Sequence, residues 1–140
     1  MLLKIKKAFT LMEIMIVVIT VGAIAAFAIP NFTKSVEQSH RTDATNQLTA
    51  IYSAQQIYQA QTGNYWPQST SSQDVILINS NLKLNIIQNG MTYSCTGVVA
   101  GTSFTCDAAK GSPASYTVRV TQAALDAANP SCIAGTTACP

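Results

Sequence analysis

The sequence predicts an α+β fold: one long N-terminal α-helix packed against a small antiparallel β-sheet, with a disulfide-bonded C-terminal tail. Three observations carry this. An apolar run from Phe9 to Ile29, holding one carboxylate, leads into a helically spaced segment that reaches Thr62. Strand-like runs then occupy Met91–Val98, Ser103–Ala108 and Tyr116–Thr121. All four cysteines, Cys95, Cys106, Cys132 and Cys139, fall in the last third of the chain.

The first element is the apolar run. Its 21 residues would form a helix of roughly 31 Å, about one hydrocarbon core. Lys4, Lys6 and Lys7 precede it, which predicts a cytoplasmic N-terminus and places everything after Pro30 on the far side. Glu13 is the exceptional residue. An ion at the centre of a membrane helix costs about 2.5–3.5 kcal/mol on the translocon scale, so its presence points to a partner. A secretory signal peptide ending at Ala26-Phe27-Ala28 is one rival reading, but its apolar core would be only about 7–15 residues. A simple membrane anchor is another. Neither accounts for Glu13.

Within the helix, Pro30 lacks an N–H and crowds the carbonyl of Ala26, a cost of about 3 kcal/mol in a helix interior. Gly22 adds about 1 kcal/mol relative to alanine. Gly22 to Pro30 is therefore the expected weak segment, with a kink. Past Pro30, Val36, Ala44, Leu48, Ile51, Tyr52 and Tyr58 recur at three- and four-residue spacing and mark one buried face over an outer amphipathic half, residues 31–63. Gly63 suits the C′ position that ends such a helix. From Phe9 to Thr62 it would run about 80 Å. His40, Arg41 and Asp43 read as a solvated helix face. Tyr52, Tyr58, Tyr65 and Trp66 read as core packing and a shoulder at the helix end.

Residues 64–140 form the outer β-region. Gly63-Asn64-Tyr65-Trp66-Pro67 and the polar stretch to Gln73 read as a loop. Asp74–Leu84 fits either a short strand or a helical turn capped by Asp74. Tyr116, Val118 and Val120 alternate with Thr117, Arg119 and Thr121, a half-buried strand. An even cysteine count in a small, exported-looking domain favours disulfides. No spacing is C-x2-C, and the only histidine, His40, is remote, which argues against zinc. Cys95 and Cys106 lie symmetrically about Ala100-Gly101, so a hairpin centred there would set them opposite each other. Cys132 and Cys139 bracket the tail. Pairs 95–106 and 132–139 are the expectation, while four cysteines allow three connectivities.

Several function classes are disfavoured. Charged residues make up 10% of the chain, against about 25% in typical globular proteins. The basic residues beyond Pro30 are Lys34, Arg41, Lys83, Lys110 and Arg119, too scattered for a phosphate-tracking stripe. Without Lys4, Lys6 and Lys7, five basic residues face six acidic ones, a net −1. No phosphate loop, nucleophile elbow, paired-carboxylate site or zinc-hydrolase motif occurs. Asp74, Asp107 and Asp126 are the carboxylates left to cluster in the outer region. No cofactor, metal or catalytic residue is expected.

Lys7-Ala8-Phe9-Thr10-Leu11-Met12-Glu13 resembles the processing site of type IV prepilins. Gly22, Pro30 and Ile29-Pro30-Asn31-Phe32 continue the likeness, and Gly63-Asn64-Tyr65-Trp66-Pro67 is similar to the segment that follows the long helix in many pilins and pseudopilins. The residue before the cut is usually glycine in that family and is Ala8 here. The resemblance implies a type IV pilin-like fold, a leader of residues 1–8 removed between Ala8 and Phe9, and methylation of the new amine of Phe9. It implies a membrane-spanning, filament-core half at residues 9–30, with Glu13 setting assembly register by meeting a neighbour's amine. It also implies that the Gly22–Pro30 segment loses helical structure in the filament, and that in many relatives the end loop is tied back to the sheet. The partners implied are identical subunits in a homo-polymer, a prepilin peptidase and methyltransferase, inner-membrane assembly machinery, and membrane lipid before assembly. The implied location is the inner membrane first and an extracellular pilus afterwards, a fimbrium of the kind used in twitching motility and cell adhesion. A type II secretion pseudopilin is the alternative within the family. A membrane-tethered domain that never polymerises is the alternative outside it.

Overall fold

A computed structural model describes residues 9–111, 115–126, 128–135 and 139. Ala8 and the three leading lysines lie outside the described residues. Two compact units divide the chain between Val36 and Glu37.

Leu11–Thr62 form α1, one helix of 52 residues. It starts two residues later than expected because Thr10 takes the N-cap. The Glu13 N–H donates to Thr10 Oγ1 at 3.2 Å, satisfying a donor that the first turn leaves open. Thr10 and Glu13 have the T-x-x-E spacing of a capping box. From Leu11 to Ile29 the helix is largely apolar and unburied. Among the described residues this is the one helix long and apolar enough to cross a membrane. Helical structure is continuous through Gly22 and Pro30. Just past the proline, Asn31 Nδ2 donates to the Phe27 carbonyl at 3.2 Å and Thr33 Oγ1 to the Pro30 carbonyl at 3.0 Å.

From Glu37 onward, the last turns of α1 share one core with a five-stranded antiparallel sheet. The strands are β1 (Gln73–Asp74), β2 (Thr92–Gly97), β3 (Phe104–Lys110), β4 (Tyr116–Thr121) and β5 (Ser131–Ala134), in spatial order 1-2-3-4-5. α2 (Val75–Leu82) sits between β1 and β2 in sequence. Its Asp74 cap accepts from the Leu77 N–H at 3.1 Å. Asp74–Leu84, open to two readings in the sequence, thus contains both a strand end and a helix. β5 and β1 are additions to the three expected strands. β1 is two polar residues long and β5 shows no burial alternation, so neither leaves a period-2 signal.

The core follows the two periodicities. Ala44, Leu48, Ile51 and Ala54 on α1 face Tyr93 and Cys95 of β2, Phe104, Cys106 and Ala108 of β3, and Tyr116, Val118 and Val120 of β4. Each large side chain buried here contributes on the order of 1.5–3 kcal/mol. Tyr65 and Tyr52 pack against Phe104, with ring centroids 5.0 and 6.2 Å apart. Gly63, at φ +85°, ends α1 in the left-handed conformation that favours glycine. Gly101, at φ +64°, turns β2 into β3, and its carbonyl accepts from the Tyr65 N–H at 2.7 Å. The helix end is thereby fastened to the hairpin tip.

The face expected to be solvated is not. His40, Arg41 and Asp43 are half-buried, because the sheet reaches this turn of α1. Tyr116 OH donates to the Glu37 carbonyl at 3.3 Å, Lys110 Nζ lies 3.9 Å from Glu37 Oε1, and the His40 ring lies against Gly90.

Candidate assembly surface

Phe9 and Glu13 open the apolar unit. Phe9 is 76% exposed, and Leu11, Met12, Ile14 to Ile19, Val21, Ile24, Phe27, Ile29 and Phe32 are exposed with it. Monomeric soluble proteins rarely leave so large an apolar surface uncovered. The run is apolar on all sides, as a helix must be whose solvent is lipid or other helices. Glu13 is the only charge in it, one turn from Phe9. Gly22 and Pro30 lie on the same helix, and Ala8 lies outside the described residues.

The outer unit holds its own shape by covalent and polar means. Cys95 and Cys106 are paired across β2 and β3, with Cα atoms 4.1 Å apart, and are disulfide-bonded. Cys132 on β5 is bonded to Cys139 at a Cα separation of 6.2 Å. Both bonds join near neighbours in sequence, and neither ties the tail to β2 or β3. Arg119 donates to both carboxylate oxygens of Asp107 at 2.7 and 2.8 Å across β3 and β4. Asp107 holds the Arg119 guanidinium above its ordinary range. Burial pushes the Tyr93 phenol up, and the nearby Asp43 and Tyr116 push it further, so it stays protonated.

Asp74, Asp107 and Asp126 do not converge. Asp74 caps α2, Asp107 pairs with Arg119, and Asp126 Oδ1 accepts from the Ala128 N–H at 2.7 Å. Among the described residues no three His, Cys, Asp or Glu side chains form a metal cluster.

Two polar residues that sequence reasoning passed over position this unit. Gln55 is fully buried. Its Nε2 donates to the Trp66 carbonyl, and its Oε1 accepts from the Trp66 N–H at 3.0 Å. It stands one helical turn beyond Ile51, on the buried face of α1. Asn129 is buried between β4 and β5. Its Oδ1 accepts from the Thr121 N–H at 3.1 Å, and its Nδ2 donates to the carbonyls of Thr121 and Ala123 at 3.2 and 2.6 Å. Gln55→Ala orphans two buried backbone groups at about 1–3 kcal/mol each. The expected loss is about 2–4 kcal/mol, read as a lowered melting temperature of the detergent-solubilised chain by circular dichroism. Gln55→Glu should fare little better, since a carboxylate cannot donate to the Trp66 carbonyl. Wild-type melting in both variants would refute the clamp.

Sequence comparison places these features among known proteins. Over 59 residues, 42% of this chain, it is 42% identical to the type IV major pilin protein PilA of Myxococcus xanthus, a match spanning 27% of that protein. Over 60 residues it is 30% identical to the type II secretion system core protein G of Pectobacterium carotovorum, spanning 43% of this chain and 38% of that one. A longer match, 120 residues at 29% identity, covers 79% of this chain and 78% of the fimbrial protein EcpC of Eikenella corrodens. The matches to the major pilin and the secretion protein therefore span well under two thirds of those relatives. No protein-family model and no solved structure matches the chain.

Proposed function

We propose a structural, filament-forming role from one premise: this chain belongs to the type IV pilin-like family. The observation that carries the proposal is the unburied apolar half of α1 with its lone carboxylate. In this reading a prepilin peptidase cuts between Ala8 and Phe9 and the new amine of Phe9 is methylated. The subunit is stored in the inner membrane with its N-terminus cytoplasmic. Assembly machinery then draws it into an extracellular homo-polymer, where α1 exchanges lipid for the helices of its neighbours. Gly22 and Pro30 weaken the helix between them, and packing in the filament replaces the hydrogen bonds lost there. The role is mechanical and non-enzymatic.

Glu13 gives the polymer its register. After cleavage the chain carries an α-ammonium one turn from this carboxylate. In a low-dielectric helix bundle, an ammonium and a carboxylate attract strongly, and either left alone costs several kcal/mol. The arrangement in which each incoming amine meets a neighbour's Glu13 is then favoured over slipped ones.

A type II secretion pseudopilin is the second reading, favoured by the match to core protein G. Mass spectrometry of unreduced material sheared from cells tests the proposal. The expected species begins at methylated Phe9 and carries two intact disulfides. A chain that begins at Met1 and stays in membranes would refute processing and assembly. A soluble chain beginning at Ile29 would indicate a signal peptide instead.

A further inference from the structure

We propose that a groove between α1 and the end of α2 receives the β4–β5 connection of a second copy, with Lys83 of one subunit paired to Asp126 of the next. The inference rests on the polymer reading above and names a contact between outer units within it.

The groove, about 420 Å³, is lined on one side by Ala50, Ala54 and Ile57 and on the other by Leu82, Lys83 and Leu84. Ile57 is 60% exposed. Lys83 is the one non-glycine residue at positive φ among the described residues, at φ 55° and ψ 41°. Glycine is the residue this helix-ending conformation favours, and a side chain held there is a reason to look for function. The other cations whose partners are known are engaged within the unit: Arg119 by Asp107 and Lys110 by Glu37. Lys83, on the rim of an apolar groove, has no carboxylate partner among the described residues.

The complementary surface lies elsewhere on the same chain. Asn129 fastens the β4–β5 connection through its bonds to Thr121 and Ala123. That connection presents Leu125 and Asp126 to solvent. An apolar knob beside a carboxylate matches an apolar groove beside an ammonium. Lys83 and Asp126 are not paired within one chain. α2 packs on β1 and β2, Asp126 follows β4, and the sheet order is 1-2-3-4-5. These lie toward opposite edges: β1 and β4 are three strands apart, about 14 Å if strands lie about 4.8 Å apart. They do share an end of the unit. The Tyr65–Gly101 bond sets the C-terminus of α1 at the β2–β3 turn, and Thr121 pairs with Thr105 beside that turn. Two different patches toward opposite edges are what a heterologous, helically propagating contact requires.

Zero-length carbodiimide cross-linking of sheared wild-type filaments tests this. It joins a lysine and a carboxylate only when they touch. The expected result is a ladder of dimers and higher species whose dimer band yields a Lys83–Asp126 cross-linked peptide. Lys83→Glu or Asp126→Lys should each lower filament yield at least about tenfold, and the double exchange should restore it. Wild-type filaments whose dimers lack that peptide, or a double exchange no better than the single variants, would overturn the contact and leave the polymer reading intact. Absence of wild-type filaments would overturn both.

Discussion

Glu13→Ala is expected to abolish sheared filaments while leaving the membrane-bound subunit at wild-type abundance or above. The two directions follow from one residue in two solvents. In lipid, an uncompensated carboxylate costs about 2.5–3.5 kcal/mol, so alanine makes the stored state easier to reach. In the proposed filament, removing the carboxylate would leave the α-ammonium of Phe9 buried without a counter-ion, and breaking such a pair costs about 3–5 kcal/mol. A deficit of that size at every subunit lowers the equilibrium for each addition by about two to four orders of magnitude. Glu13 also sits at N3 of a helix capped by Thr10, so a helix-capping defect must be told apart from a charge defect. Glu13→Gln does this, because glutamine serves in a capping box but carries no charge. It too should fail to assemble. Abundant filaments from the Gln variant would mean that the charge is dispensable and that register is set by packing alone.

The parts of the fold legible in the sequence are those where one period dominates. β4 has the bounds that Tyr116, Val118 and Val120 define by alternation, and the Cys95–Cys106 register follows from equal spacing about the Ala100-Gly101 turn. The long helix is legible from its apolar run and the Ala44, Leu48, Ile51 stripe, and Gly63 ends it. What stayed hidden was decided by tertiary contact. Gln55 looks like a surface residue until Trp66 presents both backbone groups to its amide. His40 looks solvated until Gly90 comes against its ring, and Asp43 until Tyr93 comes near it. β5 has too few residues to show a pattern, and its identity depends on β4 offering an edge. Lys83 occupies a conformation that sequence would assign to glycine, so the feature most suggestive of a contact between subunits is invisible without the backbone. Asp74, Asp107 and Asp126 are the converse: nearby in composition, they are dispersed by the topology to three separate tasks.

The second large effect concerns the disulfides, which should not be equivalent. Cys95 and Cys106 are both fully buried in the core between β2 and β3, whereas Cys132 and Cys139 are half-buried at the end of the chain. In the chain-entropy account, opening a loop of sequence separation 11 removes about 3 kcal/mol, and one of separation 7 slightly less, about 2.4 kcal/mol. Entropy alone thus barely distinguishes them. Burial does. Cys95→Ala with Cys106→Ala also strips sulfur contacts from the centre of the core, beside Val120 and Phe104, and leaves space that close-packed neighbours fill only in part. A total loss of about 4–5 kcal/mol is expected there. Cys132→Ala with Cys139→Ala should release the tail at about 2–3 kcal/mol, close to the chain-entropy figure alone, since these half-buried cysteines add little burial to it. For a domain of this size each kcal/mol moves the melting temperature by about 4–8 °C, so the core pair should depress it by well over ten degrees and the tail pair by about half as much. Circular dichroism melts of the detergent-solubilised chain read both. If the tail variant melts lower, β5 and its closing loop, rather than the β2–β3 hairpin, hold the outer unit together.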